Sequence, residues 1–205
     1  MPLENAGRHA ALGGLASAAT YISLHGAIPN SSGSNELVGG SYARKQVIWD
    51  SPASGAMAND GALSHNVPAG STVACYGLWS ALTTGTYYGY VPLNGSPRGF
   101  GSVDATDVTN DTITSNGHGL ANDQRVFVTA VNAEPLPTGL AAGTLYYVIN
   151  ATTDTFKLST TSGGSAVNLT AVGELWWQRL IPEVYGAAGT LETADGALAL
   201  DLTAL

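Results

Sequence analysis

The sequence predicts a mainly β protein: an antiparallel, β-sandwich-like host domain with a short N-terminal helix, carrying a smaller β domain within it. Three observations predict this. Short runs alternate apolar and polar side chains between clusters of Gly, Pro, Asn and Ser, the pattern of strands joined by tight turns. Only 11% of residues are charged, against roughly 25% in an average soluble domain, while Gly reaches 26 residues, so the surface is neutral and hydroxyl-rich. The stretch from Thr112 to Ser159 stands as a unit of its own. It holds an Asn116 to Gly119 turn, then strands Arg125 to Ala130, Leu145 to Asn150 and Thr155 to Leu158.

In chain order, Leu3, Ala6, Ala10, Leu12 and Leu15 recur at helical spacing from Leu3 to Ala16, with His9 on the flank. Gly13 and Gly14 weaken that helix or end it early, each costing about 1 kcal/mol relative to Ala. Thr20 to His25 alternates strictly, placing Tyr21, Ser23 and His25 opposite Ile22 and Leu24 as in a half-buried strand. The Pro-, Asn- and Ser-rich loop from Gly26 to Gly40 is long enough to bind something. Gly39 and Gly40 then supply a bulge or turn that aims Tyr42 and Arg44 in fixed directions, ahead of a strand from Lys45 to Trp49.

Pro52 to Gly61 reads as a turn-rich connection, Ala62 to Val67 and Ser71 to Ser80 as strands, and Thr86 to Val91 as another, closed by an Asn94-Gly95 reversal. Tyr87, Tyr88 and Tyr90 on that last strand combine aromatic faces with hydroxyl tips, which suits sugar stacking or a protein partner and equally suits the interior of a sheet. With Tyr42 and Arg44 they form the candidate interaction surface. The chain ends in a connector, Gln178 to Gly186, and final strands from Thr190 to Leu202 that turn at Ala194 to Gly196.

Chemistry is sparsely signalled. Cys75 is the only cysteine, so an intrachain disulfide is excluded, and its apolar strand setting is that of a buried thiol. His25, His65 and His118 show no metal-binding spacing, and no G-x-S-x-G elbow appears. Asp104, Asp107 and Asp111 form an acidic run that calcium could use but whose spacing fits a solvated linker better. No catalytic, cofactor-binding or metal residue is assigned, and no cofactor is expected. A net charge of -8 with seven Lys plus Arg argues against nucleic acid and against an anionic membrane surface. No apolar run approaches the roughly 18 residues of a membrane span, and the N-terminus lacks the basic and apolar regions of a signal peptide, so synthesis in a cytoplasm is expected.

Two stretches carry resemblances. GHGLANDQRVFV from Gly117 and LPTGLAAGTLYYVINATTDTFKLS from Leu136 resemble a small β module of many tailed-bacteriophage virion proteins, named after the first catalytic-cysteine half-domain (FCCH) of ubiquitin-activating enzymes. The stretch has no cysteine, so a thioester role does not transfer. Tyr21 to His25 (YISLH), Asn35 to Arg44 (NELVGGSYAR), Tyr76 to Ser80 (YGLWS) and Gly89 to Leu93 (GYVPL) resemble phage virion proteins usually described as tail fibre or minor tail proteins.

Together these resemblances imply a discontinuous host domain, residues 1–101 plus 178–205, with residues 102–177 inserted. The start of the insertion at Pro97 to Ser102 and its end at Glu174 to Arg179 must then lie close together, with Trp176 and Trp177 at the domain junction. They further imply a non-enzymatic structural protein of the virion, made in the host bacterial cytoplasm and most at home as a tail fibre or minor tail protein exposed on the particle. Its expected partners are other virion proteins, copies of itself with a trimer first, and a host-surface glycan. The rival readings are a capsid decoration protein and an envelope-glycan depolymerase.

Overall fold

The computed structural model describes residues 4–94, 98–132 and 134–202. Leu3 at the expected helix start, Gly95 of the expected reversal and Pro97 at the expected start of the insertion lie outside the described residues. The chain divides into two compact units, one formed by Met1–Val91 with Pro182–Leu205 and the other by Pro92–Ile181. It is mainly β, with antiparallel sheets and a short N-terminal helix, as the alternating patterns predict.

In the first unit, helix α1 (Asn5–Ala18) runs through Gly13 and Gly14 instead of stopping at them. Tertiary anchoring outweighs their poor propensity: Leu12 is buried, and the Trp49 indole N–H donates to the Ala19 carbonyl at the helix end, 2.8 Å away. Strand β1 (Tyr21–His25) pairs antiparallel with β2 (Lys45–Gln46) on one side and, later in the chain, with Cys75–Trp79 on the other. The alternation in β1 suggests one solvated face. Both faces are buried, because Ser23 and His25 satisfy each other inside the unit.

After β3 (Ile48–Trp49), the stretch expected as a connection contains a strand, β4 (Ala56–Asp60). No local signal announces it. What holds it is Asn59, fully buried, whose carboxamide donates to the carbonyls of Gly61 and Ala194 and accepts from the Leu198 N–H. Strands β5 (Leu63–Val67), β6 (Ser71–Val73) and β7 (Cys75–Trp79) follow. The run expected as one strand breaks at Ala74, whose N–H turns to the His25 carbonyl. Strand β8 (Tyr87–Pro92) closes the four-stranded sheet, ordered β2-β1-β7-β8.

The second unit is a closed antiparallel barrel. Its strands are β9 (Arg98–Val103), β10 (Ile113–Thr114), β11 (Arg125–Ala130), β12 (Leu145–Ile149), β13 (Thr155–Ser159) and β14 (Gly173–Leu180), ordered β10-β13-β12-β11-β14-β9. The period of two along each strand fills its interior with Val126 and Val128, Tyr146 and Val148, Phe156 and Leu158, Leu175 and Trp177. The unit reaches beyond the 102–177 implied by the resemblances because β9 and β14 zip together from Val103↔Gly173 to Arg98↔Gln178.

The acidic run of the linker builds a helix, α2 (Ala105–Asn110). Asp104 caps it, accepting from the N–H groups of Thr106 and Asp107, while Asp107 reaches back to the Asp104 N–H. Asp111 takes the left-handed conformation at its end and accepts from the Leu169 N–H. These carboxylates are structural caps.

The final strands return to the first unit: β15 (Glu183–Tyr185) pairs with β6, β16 (Gly189–Thr193) with β5, and β17 (Ala199–Asp201) with β4.

Candidate functional site

The tyrosines singled out in the sequence lie on β8, at the edge of the four-stranded sheet. Across from them runs the loop that follows β1. Pro29–Ser31 and Tyr87–Tyr90 enclose a groove of about 320 Å³. Its floor is anchored by Tyr87, whose ring packs against Trp79 at 5.1 Å and His25 at 6.1 Å between centroids. Burial raises the Tyr87 pKa, and its hydroxyl is enclosed without a hydrogen-bond partner among the described residues. Tyr88 is 43% exposed, and Tyr90 is partly buried. Gly89, between them, has φ +148°, a conformation that residues with a side chain rarely adopt.

The opposite wall is held rigidly by its own polar groups. The Asn30 carboxamide oxygen accepts from the Ser32 N–H, the Ser32 hydroxyl and the Ser34 N–H, at 3.0, 2.8 and 3.2 Å. That is a fastened Asx turn. Gly33, at φ +76°, lies so close to the rings of Trp79 and Tyr87 that a side chain there would collide with both. Among the described residues, no charged side chain lines the groove.

Tyr42 and Arg44 are not beside this groove. Arg44 is only 9% exposed. Its Nε and one terminal nitrogen donate to the two Glu36 carboxylate oxygens at 2.8 and 2.7 Å, and its other terminal nitrogen donates to the carbonyls of Ala81 and Thr84. The guanidinium also lies over the Trp79 ring. The Tyr42 hydroxyl donates to Glu36 and accepts from the Leu24 N–H, and burial raises its pKa. The pair therefore clamps the loop to the sheet from inside, and the Gly-Gly-Ser-Tyr-Ala-Arg motif reads as a fastening of the unit.

A Ser–His pair that no sequence motif marks lies beneath the groove. Ser23 Oγ and His25 Nε2 are 2.6 Å apart, with His25 Nδ1 2.8 Å from the Ser34 carbonyl and the Trp79 indole N–H 2.9 Å from Ser23 Oγ. A carbonyl only accepts, so Nδ1 carries the ring proton and Nε2 accepts from the Ser23 hydroxyl. Burial lowers the His25 pKa, and both residues are fully enclosed. This chain of bonds has the outline of a nucleophile and base, yet no substrate can reach it. Gly77 makes room for it, since a side chain there would meet His25 and Ser23.

Other sequence candidates have structural roles. Burial pushes the Cys75 thiol up to about 12, so it is inert at neutral pH. His118 shapes its turn, accepting from the Leu120 N–H at Nδ1 and donating to the Thr155 carbonyl from Nε2. Trp176 and Trp177 part company at the barrel wall. Trp177 fills the interior, where its indole N–H donates to Ser115 Oγ, while Trp176 sits outside against Phe100 and beneath the Arg98 guanidinium. Among the described residues, no group of three or more His, Cys, Asp or Glu is placed to hold a metal ion. Among the described residues, no helix is long and apolar enough to cross a membrane.

Two larger grooves have different chemistry. One of about 570 Å³ between Gly40–Ser41, Asn66–Ala69 and Ala188–Thr190 offers neither aromatic faces nor charge. Another of about 430 Å³ lies over the Arg44–Glu36 pair, rimmed by the exposed side chains of Val38 and Leu82.

A protein-family model described as Podophage GP4 fiber I protein gp80 matches residues 3–116, more than half of the 205-residue chain. No curated protein and no solved structure matches it.

Proposed function

The chain belongs to the Podophage GP4 fiber I protein gp80 family, and we propose on that footing that it is a non-enzymatic tail-fibre or minor tail protein, exposed on the phage particle. The family match carries this reading. It covers α1, the four-stranded sheet and the start of the barrel, and so includes both walls of the tyrosine groove. The proposed partners are other virion proteins, further copies of this chain in a trimer, and a glycan of the host surface.

The second unit is a module carried by the first. Its opening strand β9 and closing strand β14 run side by side, so the barrel can be spliced into a surface loop with little disturbance to its host.

Immunogold labelling of intact particles with an antibody against the chain tests the assignment. Label on the tail fibres is expected; label confined to the capsid shell replaces the reading with a decoration protein. Incubation of the purified chain with host envelope is expected to release no soluble saccharide, and saturable release overturns the non-enzymatic role. Sedimentation velocity reads the subunit number, with a monomer at every concentration ending the trimer.

A further inference from the structure

We propose that the groove between Pro29–Ser31 and Tyr87–Tyr90 binds a neutral saccharide, with the Tyr88 ring stacking on the sugar face and Asn30 and Ser31 bonding its hydroxyls. The inference rests on the reading of the chain as an exposed fibre protein, and names the class of glycan and the residues that meet it.

Charge decides the class. A phosphate- or uronate-bearing ligand demands cationic side chains to offset its desolvation, and among the described residues the groove has none. What it offers is aromatic surface with polar tips and short neutral hydrogen-bonding groups, which match the mixed C–H and O–H faces of an uncharged sugar.

The donors are specific. Because the Asn30 carbonyl oxygen is used by Ser32 and Ser34, its amide orientation is set, and its N–H2 group makes no hydrogen bond among the described residues. The Ser31 hydroxyl likewise makes none among them, although it is exposed at the groove. Preorganisation completes the case. The Asx turn and the close contact of Gly33 with Trp79 and Tyr87 fix both walls before any ligand arrives, so binding incurs little loop ordering.

The test uses the full chain on an array of defined oligosaccharides, one set built from neutral hexoses and 6-deoxyhexoses and another bearing uronic acids, followed by calorimetric titration of the best neutral binder. Neutral members are expected to bind. Tyr88→Ala is expected to weaken binding about ten-fold while Tyr88→Phe retains it, since the ring supplies the stacking. Asn30→Asp keeps the acceptor that fastens the loop and removes the N–H2 donor, so it is expected to lose affinity with no change in thermal midpoint.

Binding confined to the uronic acid set, no binding at millimolar sugar, or variants that bind like the parent overturns the site. So does a change of sedimentation on Tyr88→Ala, which marks a subunit contact. Fibre label on the particle without saccharide binding defeats this site and leaves the fibre assignment standing; saccharide binding with label only on the shell does the reverse.

Discussion

The guanidinium carbon of Arg44 lies 3.5 Å from the centroid of the Trp79 ring. One buried cation thereby joins the loop after β1, the turn after β7 and the indole that supports the groove floor, while Glu36 neutralises it. Such a group organises a unit without adding a reactive surface.

Arg44→Ala leaves the Glu36 carboxylate without its ionic partner and two carbonyls without donors. The expected loss is roughly 3 kcal/mol in urea unfolding. Arg44→Lys keeps the charge but not the two-pronged geometry or the stacked plane, and is expected to fall between Ala and the parent. A loss below about 0.5 kcal/mol for the alanine variant contradicts the clamp.

Two glycine substitutions should move stability in opposite directions. Gly77→Ala drives a methyl group into the Ser23–His25 pair, and a loss of about 1–3 kcal/mol is expected. Gly13→Ala, on an open stretch of α1, is expected to gain up to about 1 kcal/mol. Thermal unfolding of both variants reads the contrast, and equal signs disprove it.

The neighbouring tryptophans should differ as sharply. Trp177→Ala empties the barrel interior and is expected to cost about 3–5 kcal/mol. Trp176→Ala removes only an outer-face contact and should cost much less. Ser115→Ala, which leaves the buried Trp177 N–H without its acceptor, is expected to cost about 1–3 kcal/mol. Urea midpoints that rank Trp176→Ala as the most damaging refute the assignment of faces.

Acid should loosen the first unit through its buried histidines. Burial holds both His25 and His65 below the ordinary value of 6.5. The unfolded chain therefore takes up protons below that pH which the folded chain refuses, so stability rises with pH in this window and falls as pH drops through it. Each ring contributes at most about 1.4 kcal/mol per pH unit. Urea unfolding midpoints should decline from about pH 7.5 to about pH 5.5, and a level profile rejects this linkage.

Much of the strand pattern was legible because it is local. Alternation marks β1, β11 and β13 to within a residue or so, and turn residues such as Asn150, at φ +50°, end strands where the chain must reverse. The strand β4 was not legible, since its buried Asn59 looks like a turn residue until partners distant in sequence satisfy it. The same holds for the roles of aromatic and charged residues. Tyr42 and Arg44 read as surface recognition from the chain alone, and only folding brings Glu36 and Trp79 against them.

The sequence by itself determined the β class, the exclusion of any intrachain disulfide and the low share of charged residues, because composition and period-two alternation act residue by residue. The tertiary structure decided which face of each strand is buried, that the second unit closes into a barrel, and that the tyrosine strand meets the Asn30 loop across a groove. Those outcomes depend on pairing between segments far apart in the chain, where register and burial are set jointly by both partners.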